Sequence, residues 1–540
     1  MSSGRAANLD AAILSEHDNS GPSPAILADA GPAAVAGNRD RGARAPSGGL
    51  LDFVLEQEAA SPENTGLLQQ FLNARSVEDA LRCWLGPLDR ITGREALHRL
   101  CADIAALDAA LSDQVNEVLH HPAFQKLEAS WRGLAYLTEC AAVEGIPNLQ
   151  IKVLQCSWRE LERDMDSAIE FDQSQVFHRV YDDHFGTPGG EPLGLLIGDY
   201  EVHPSVAPDH PHDDMSVLEK MAGVAAAAFC PFIAAASPAM FGLDDYAQLE
   251  AVRDLERTFS SPAYLRWRSL RDTEDSRFVG LTVPHVLMRA PFVDDNARVD
   301  GFRFTEDVSG PDRRKYLWAN AAYAVGETVI RSFAQSGWLA GIRGVQRGIE
   351  GGGIVCRLPS LSFATDAPGI APRGITDTII ADQAERALAN VGFIPLCQCH
   401  DSEFAAFYSS PSIQKPKTYD RQAATQNSRM SSMLHYILCT SRFAHYLKVL
   451  GRDKLGSFSE PEECQDHLNN WLTRFVTPVD SASPETKAQY PLREARVEVL
   501  PDPGKPGSYR SIIYLRPHFE LDDLVATVSF KTELSPLGTN

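Results

Sequence analysis

The stretch that decides the fold is HPAFQKLEASWRGLAYL, residues His121–Leu137. Apolar side chains recur in and just before it every three to five residues, at Leu119, Phe124, Leu127, Trp131, Leu134 and Leu137. This spacing predicts a helix packed along one face, with a break near Gly133 because glycine weakens helices. Lys126, Glu128 and Arg132 fall off the apolar stripe. The combination is typical of an assembly signature rather than a catalytic one.

The composition sets the class of protein. The chain has 540 residues, which is more than one hydrophobic core usually organises, so two or more domains and a tail are expected. Its formal charge of −22 argues against attachment to nucleic acid or anionic lipid. The start, MSSGRAANLD, lacks the basic and apolar regions of an export signal, which predicts a cytoplasmic protein. Ten cysteines without a framework spacing indicate reduced thiols.

One uncharged run, Met221 to Leu243, is long enough to cross a bilayer. It is mostly alanine, which gains little in lipid, and Pro231 and Pro238 would interrupt the hydrogen bonds of a spanning helix. We therefore expect no membrane insertion.

The N-terminal region divides into a tail and an arm. Residues 1–49 are rich in Ala, Gly and Pro, which predicts disorder, although LDAAIL at Leu9–Leu14 and LLDFVLEQ at Leu50–Gln57 are short amphipathic islands. The second island reads equally well as a first core helix. Residues 50–118 are expected to form a helical arm. In it, Thr92 and Glu95 form a capping-box pattern before a long apolar stripe, which is more often buried in an internal helix pair than in an intermolecular coiled coil.

Residues 119–420 show mixed patterns and are expected to form the main α/β (α+β mixed) body. Candidate strands are Leu149–Cys156, Pro192–Tyr200 and Gly392–Leu396. One helix is expected after Asp213 and Asp214, capped by those carboxylates, and another over Arg313–Phe333.

Residues 421–540 are expected to form a C-terminal domain with one helix ending near Leu450, a second over Leu468–Val476, and then strands. ARVEVL and SYRSIIYLRPHFEL flank the turn PDPGKPG and predict a hairpin, and LVATVSFKTEL predicts a trailing strand. Terminal strands of this kind complete their own sheet or pair with a neighbour's edge, and the sequence leaves both open.

Catalytic motifs are sparse. The sequence contains no P-loop, no GxSxG elbow and no HExxH helix. Two weak metal candidates are CQCH, Cys397–His400, and HPHDD, His210–Asp214. GIEGGGIVCRLP offers a glycine-rich turn beside a candidate thiol nucleophile, Cys356, but the glycines are better explained by positive φ angles and the cysteine by packing. The basic triplet Arg313–Lys315 is best explained as a solvated helix start.

Several segments resemble the TssC family, also called VipB, ImpC or EvpB. Besides His121–Leu137, they include LEKMAGVAAAAFCPFIA, YLRWRSLRDTEDSRFVGLTVPHVLMRAPF, FRFTEDV, YLWANAAYAVGE, SGWLAGIRG and SRFAHYLKVLGRDKLGSF. The resemblance covers roughly residues 90 to 535. This family supplies the large subunit of the type VI secretion contractile sheath.

The resemblance implies a structural protomer without a cofactor or nucleotide site. It would pair with a TssB/VipA-like small subunit, polymerise into a helical sheath around an Hcp tube on a baseplate, and be recycled by the ClpV unfoldase. Terminal strands would connect neighbouring protomers by sheet augmentation, with subunit-interface candidates at Ile512, Ile513, Tyr514, Val525, Val528 and Phe530. The family-signature packing residues would be Phe124, Trp131, Arg132 and Gly133. Unfoldase-docking candidates are Leu9, Ile13, Leu14, Leu51, Phe53 and Val54.

Two alternatives stay open at this stage. Residues 1–90 depart from the usual beginning of the family, so the chain could be a divergent paralogue that regulates the sheath or acts as a baseplate adaptor. The other alternative is a cytosolic enzyme that uses the glycine-rich turn with Cys356, or the CxCH cluster as a metal site.

Overall fold

The fold is built on an eight-stranded sheet. The computed structural model describes residues 69–87, 91–146, 148–208, 210–252, 254–294, 301–310, 312–345, 351–360, 374–399, 402–453, 461–479, 482–501 and 509–518, and the backbone of 9–15. The strands are β1 (Leu9–Ser15), β2 (Leu149–Gln155), β3 (Leu193–Val202), β4 (Phe232–Ala236), β5 (Val279–Val283), β6 (Val286–Arg289), β7 (Leu317–Ala319), β8 (Ile354–Val355), β9 (Phe393–Gln398), β10 (Ala405–Phe407), β11 (Leu492–Pro501) and β12 (Tyr509–Pro517).

Helices follow most strands. They are α1 (Val77–Leu85), α2 (Gly93–Leu119), α3 (Pro122–Glu144), α4 (Trp158–Ser167), α5 (Asp214–Ala228), α6 (Leu255–Ser260), α7 (Leu265–Arg271), α8 (Ala322–Ser336), α9 (Asp382–Asn390), α10 (Gln422–Ser431), α11 (Leu434–Asp453), α12 (Pro461–Thr473) and α13 (Pro484–Gln489). A π-helical segment covers His178–Gly186. Short 3-10 turns lie at Phe171–Gln173, Pro238–Phe241, Tyr246–Ala251, Pro262–Tyr264, Asp275–Phe278 and Arg313–Lys315.

The sheet order is β2-β1-β3-β4-β5-β9-β10-β8. The strands from β2 to β9 pair in parallel, and β10 and β8 complete the edge in antiparallel pairing. Alternate residues of the central strands enter two separate apolar clusters. Leu196, Phe232 and Leu281 lie in one, and Leu195 and Ile233 in the other. The sheet is therefore buried on both faces, as parallel sheets generally are.

The predicted strands at Leu149–Cys156, Pro192–Tyr200 and Gly392–Leu396 are confirmed as β2, β3 and β9. Two other segments differ from their predicted secondary structure. Leu9–Ser15 lies in the predicted disordered tail but forms β1, because β2 and β3 pair with its backbone on both sides. The helix expected over Arg313–Phe333 begins only at Ala322, since Leu317–Ala319 pairs with β6 instead.

The chain divides into two compact units. The larger comprises residues 1–18, 122–291 and 308–540 and contains the sheet. Its C-terminal part has a cluster of its own, in which α11 and α12 pack with the β11–β12 hairpin. Trp338 stacks on Phe443 in this cluster, with ring centroids 4.0 Å apart.

The smaller unit comprises residues 19–121 and 292–307. The predicted capping box at Thr92 and Glu95 is confirmed at the start of α2. Trp84 Nε1 donates to Asp103 Oδ2 at 2.9 Å and ties α1 to α2. No residue of α2 is buried, which contradicts the expectation of an internal helix pair.

In the larger unit, α3 approaches α8 closely at Gly133. A Cβ at this position would lie within 2.7 Å of three ring atoms of Tyr323, which is itself 1% exposed. Glycine therefore permits the approach, and α3 runs through it without the predicted break.

We predict that Gly133→Ala lowers the free energy of unfolding by roughly 1–3 kcal/mol, because the added methyl group overpacks the contact with Tyr323. Gly93→Ala is the matched control, since a Cβ there meets nothing within 4 Å and alanine favours a helix. Urea denaturation of both variants measures the difference. Equal stability of the two variants would contradict the packing role of Gly133.

Candidate functional site

Polar side chains gather at the carboxyl edge of the parallel sheet. His203 follows β3, Ser237 follows β4, and His285 comes two residues after β5. In parallel sheets this edge is where ligands usually bind. The edge carries two histidine clusters.

The first cluster is centred on His285. Its Nδ1 lies 2.8 Å from Asp377 Oδ2, and its Nε2 lies 3.1 Å from Glu201 Oε1. Burial opposes a charge on His285, but the two carboxylates outweigh it and raise the pKa of the imidazole well above its usual value. Burial raises the pKa of Asp377, although His285 acts in the other direction. The cluster is an internal ion pair that joins the end of β5 to the segment around Asp377.

The second cluster brings His203 and His210 onto the carboxylate of Asp214. His210 Nε2 lies 2.8 Å from Asp214 Oδ1, and His203 Nδ1 lies 3.7 Å from Oδ2. Asp214 is 1% exposed and also accepts from Trp158 Nε1 at 2.6 Å. The two imidazole rings are stacked, with centroids 3.8 Å apart.

The predicted HPHDD cluster is only partly assembled. His210 and Asp214 meet, whereas His212 pairs with Glu162 and Asp213 pairs with Arg266. The expected capping of α5 is also wrong, because the side chain of Asp213 makes no capping hydrogen bond and that of Asp214 turns to the backbone of His203. Sequence reasoning missed His203, although its place three residues after the predicted strand Pro192–Tyr200 could have indicated it.

Ser237, His203 and Asp214 superficially resemble a catalytic triad. Ser237 Oγ lies 3.2 Å from His203 Nε2. However, Ser237 is only 5% exposed, and its hydroxyl accepts a hydrogen bond from the backbone N–H of Ala239 as the N-cap of a 3-10 turn. It acts as an orienting group for the imidazole rather than as an accessible nucleophile.

The other candidate catalytic residues are dispersed. Burial raises the pKa of the Cys397 thiol, Cys399 contacts Tyr408, and His400 lies outside the described residues. The Cys356 thiol lies 3.6 Å from Glu327 Oε1, in a position to donate to that carboxylate rather than to act as a free thiolate. Gly352 has φ +62°, as expected for a tight turn.

The basic triplet likewise forms a short 3-10 turn. Arg314 pairs with Asp312 at 3.2 Å, and the Arg313 guanidinium donates to the Asp377 carbonyl.

The helix α3, which contains most of the stretch His121–Leu137, buries a different face from the one predicted. Its buried face consists of smaller side chains and one tyrosine: Ala129, Ser130, Gly133, Tyr136, Leu137 and Cys140. Phe124 is 37% exposed and Trp131 60%, so neither ring lies in the buried face of α3, and their role as family-signature packing residues stays a prediction. Arg132 pairs with Glu128, whose carboxylate also binds Arg289. The physical reason is that Gly133 and Ala129 permit the close approach to α8, which a face of large rings would prevent.

The helix α2 carries an exposed apolar stripe. Its members are Leu97, Ile104, Leu107, Leu111 and Val118, which are 49–63% exposed. We call these five residues the α2 stripe. Exposed rows of this kind mark interaction surfaces.

Among the described residues, the β11–β12 hairpin has one edge contacted by α12 and one edge without a pairing partner, which we call the open edge of β12. Asn469 of α12 bonds both the N–H and the C=O of Val497, and Gln465 accepts from Val499 N. These backbone groups of β11 therefore point away from β12. Since facing pairs in antiparallel sheets alternate, the partner residues Ser511 and Ile513 also direct their backbone groups outward.

The outward groups on β12 have no hydrogen-bond partner among the described residues. Of the predicted interface residues, Ile513 packs its side chain into the C-terminal cluster, while Tyr514 is 46% exposed and lies under Arg496. Ile512 faces Glu498 across the hairpin. Val525, Val528 and Phe530 lie outside the described residues.

The unfoldase-docking candidates fall in two places. Leu9, Ile13 and Leu14 belong to β1, whose backbone is paired on both sides. Leu51, Phe53 and Val54 lie outside the described residues. Among the residues that the structure covers, no helix is both long and apolar enough to cross a bilayer.

Comparisons with known proteins agree on one family. Residues 102–414 match the family model "EvpB/VC_A0108, tail sheath N-terminal domain", and residues 423–534 match "EvpB/VC_A0108, tail sheath gpW/gp25-like domain". The type VI secretion system sheath protein TssC1 of Pseudomonas aeruginosa is 41% identical over 447 residues, which is 82% of this chain and 87% of that protein.

Solved structures give weaker similarities. The cryo-EM baseplate of the anti-feeding prophage has a TM-score of 0.35 at 10% identity, covering 73% of this chain and 80% of the matched chain. The contracted helical sheath of the same particle has a TM-score of 0.29 at 11% identity, covering 62% and 69%.

The two family matches and the 41% identity define the chain as a contractile tail-sheath subunit. More narrowly, it belongs to the TssC family, also called VipB or EvpB, the large subunits of the type VI secretion sheath. This is a family of structural proteins, and neither the enzyme alternative nor the regulatory or adaptor paralogue is favoured.

The His285 cluster generates a prediction about pH. The pKa of His285 is raised in the folded protein, so the ion pair makes its full contribution to stability below about pH 6.5, the ordinary pKa of histidine. This contribution is lost as the pH rises through the higher pKa of the folded state. At pH 6, His285→Gln should lower the free energy of unfolding by roughly 3 kcal/mol, the low end for a buried pair, because Glu201 is half exposed. The deficit should shrink as the pH is raised.

The control is His178→Gln, because His178 pairs with Asp182 on the surface and both side chains are about half exposed. It should change stability little at any pH. Melting temperatures of both variants from pH 6 to pH 10 provide the measurement. A deficit for His285→Gln that grows with pH would contradict the assigned protonation.

Proposed function

We propose that this chain pairs with a TssB-like small subunit and that the heterodimers polymerise in the cytoplasm as a helical sheath around an Hcp-like tube. The sheath would be assembled on a baseplate in an extended form and would contract to a packing of lower free energy, which drives the tube outward. Membership in the TssC family supports this proposal, as do the α2 stripe and the open edge of β12. The proposed activity is mechanical and needs no catalytic site in the chain.

The proposal divides the chain by role. Residues 50–118 would be the helical arm, 119–420 the main sheath body, and 421–540 the domain that links neighbouring protomers. The second family match, at residues 423–534, lies within the linking domain. Contraction would switch many identical interfaces between two packings while these links stay connected. Unfolding by a ClpV-like ATPase through Leu9–Leu14 or Leu50–Gln57 would recycle the subunits.

The open edge of β12 is the observation that carries this proposal. Asn469 and Gln465 satisfy three backbone groups on the outer edge of β11, whereas a strand from a neighbour would meet hydrogen-bonding groups at Ser511, Ile513 and Leu515 of β12. Sheet augmentation satisfies such groups and gives affinity through the main chain. An exposed edge left unpaired is an aggregation risk, which pairing in the assembly would remove.

The α2 stripe is proposed as the docking surface for the small subunit. An apolar row on one face of a helix is the usual contact for a second amphipathic helix. Its five side chains are about half exposed, so covering them would contribute about 1 kcal/mol each. Since no residue of α2 is buried, this surface can change without loss of core packing.

We predict that Leu107→Asp combined with Leu111→Asp abolishes co-purification with the small subunit, because two charges would be buried in the interface. Ala109→Asp adds a charge to the opposite, exposed face of the same helix and is the matched control. The experiment is affinity purification of the tagged small subunit from cells that co-express each variant. Unchanged recovery of the double variant would reject the α2 stripe as the docking surface.

We also predict that Ser511→Pro prevents tubule formation but leaves the heterodimer intact, because it removes an outward N–H donor from β12. Ile512→Pro is the contrasting variant, since Ile512 faces a hydrogen-bonded position of the hairpin and its loss should lower the melting temperature. Negative-stain microscopy and thermal denaturation of the co-purified complexes distinguish the two effects. Normal tubules from Ser511→Pro would show that the open edge is not used.

A further inference from the structure

The second histidine cluster has no part in the proposed assembly. His203 directly follows the last residue of β3, His210 lies in the following loop, and Asp214 is the first residue of α5. We infer that His203, His210 and Asp214 form a binding site for one divalent transition-metal ion of the zinc type. The ion would clamp the loop between β3 and α5 to the carboxyl edge of the sheet.

The three side chains converge as ligands of one ion would. One donor atom from each lies within 4.8 Å of the other two. Among the described residues, these three side chains form the one group of histidine, cysteine or acidic residues close enough to share a metal ion. Ligands of tetrahedral zinc lie roughly 3.4 Å apart, given bonds of about 2.1 Å. His210 Nε2 and Asp214 Oδ1 are now 2.8 Å apart, and His203 Nδ1 and Asp214 Oδ2 are 3.7 Å apart. Small side-chain rotations therefore suffice to accommodate the ion.

The residues around the cluster orient the ligands. Trp158 Nε1 donates to Asp214 Oδ1 at 2.6 Å, and the backbone N–H of His203 donates to Oδ2 at 2.7 Å. Ser237 Oγ lies 3.2 Å from His203 Nε2, where it can accept a hydrogen bond from that nitrogen. His203 Nδ1, now 3.3 Å from the Glu201 carbonyl, is the nitrogen that would bind metal. Outer hydrogen bonds of this kind are typical of metal sites.

The exposure and the donor types of the cluster suit a transition-metal ion. The imidazoles of His203 and His210 are 23% and 17% exposed, so an ion can reach them and keep a water ligand. Two imidazoles and one carboxylate favour Zn²⁺, Co²⁺ or Ni²⁺ over Mg²⁺ and Ca²⁺, which prefer oxygen ligands.

The test uses the full chain co-purified with its small subunit, treated with chelator and titrated with Co²⁺ and Zn²⁺. We expect one equivalent of Co²⁺ with the visible absorption of a low-symmetry site, displaced by Zn²⁺, and a higher melting temperature with Zn²⁺. His203→Gln and His210→Gln should each weaken Zn²⁺ binding by about tenfold or more.

His212→Gln is the matched control, because His212 lies in the same loop but pairs with Glu162. It should bind Zn²⁺ like the parent chain. Glutamine variants are chosen because loss of the buried Asp214 could prevent folding. No stoichiometric metal in the parent chain, or equal loss of binding in His212→Gln, would overturn the inference. The result is independent of tubule formation, which is scored separately by microscopy.

Discussion

Burial of β3, β4 and β5 on both faces is the constraint on which the larger unit depends. Both faces are covered by helices, so these strands are apolar along most of their length, and the residues of β4 and β5 are buried without exception. In such a sheet, polar side chains can reach solvent or polar partners only near the strand ends. This is why His203, Ser237 and His285 meet at one edge. The close contact of α3 with α8 at Gly133 covers one face without using Phe124 or Trp131 of α3.

The surfaces suited to assembly lie outside this core. Within the described part of the chain, side chains from α12 satisfy backbone groups on one edge of the hairpin, and no group pairs with the other edge. A subunit that accepts a strand at one edge and donates a segment elsewhere makes a head-to-tail contact rather than a symmetric one. Head-to-tail contacts that do not close into rings generate helical polymers. The asymmetry of the hairpin therefore suits a sheath better than a closed dimer.

The sequence predicted the parts of the fold that depend on local patterns. Apolar runs gave β2, β3 and β9, and the capping box gave the start of α2. It could not predict the buried face of α3, because Gly133 and Ala129 are chosen by the neighbouring helix rather than by hydrophobicity. Nor could it predict β1, whose pairing partners lie more than 130 residues away in the chain. His203 and His210 were not recognised as a pair for a different reason: they lie seven residues apart without a regular spacing, and only the turn after β3 stacks their rings.

Direct observation of the β12 edge in the assembled state would test the account best. The measurement is a cryo-EM map of the tubules formed by this chain and its small subunit. The account predicts an additional strand from another polypeptide, hydrogen-bonded to the backbone of Ser511 and Ile513 along β12. A map in which this edge faces solvent, or a complex that forms only discrete soluble particles, would contradict it.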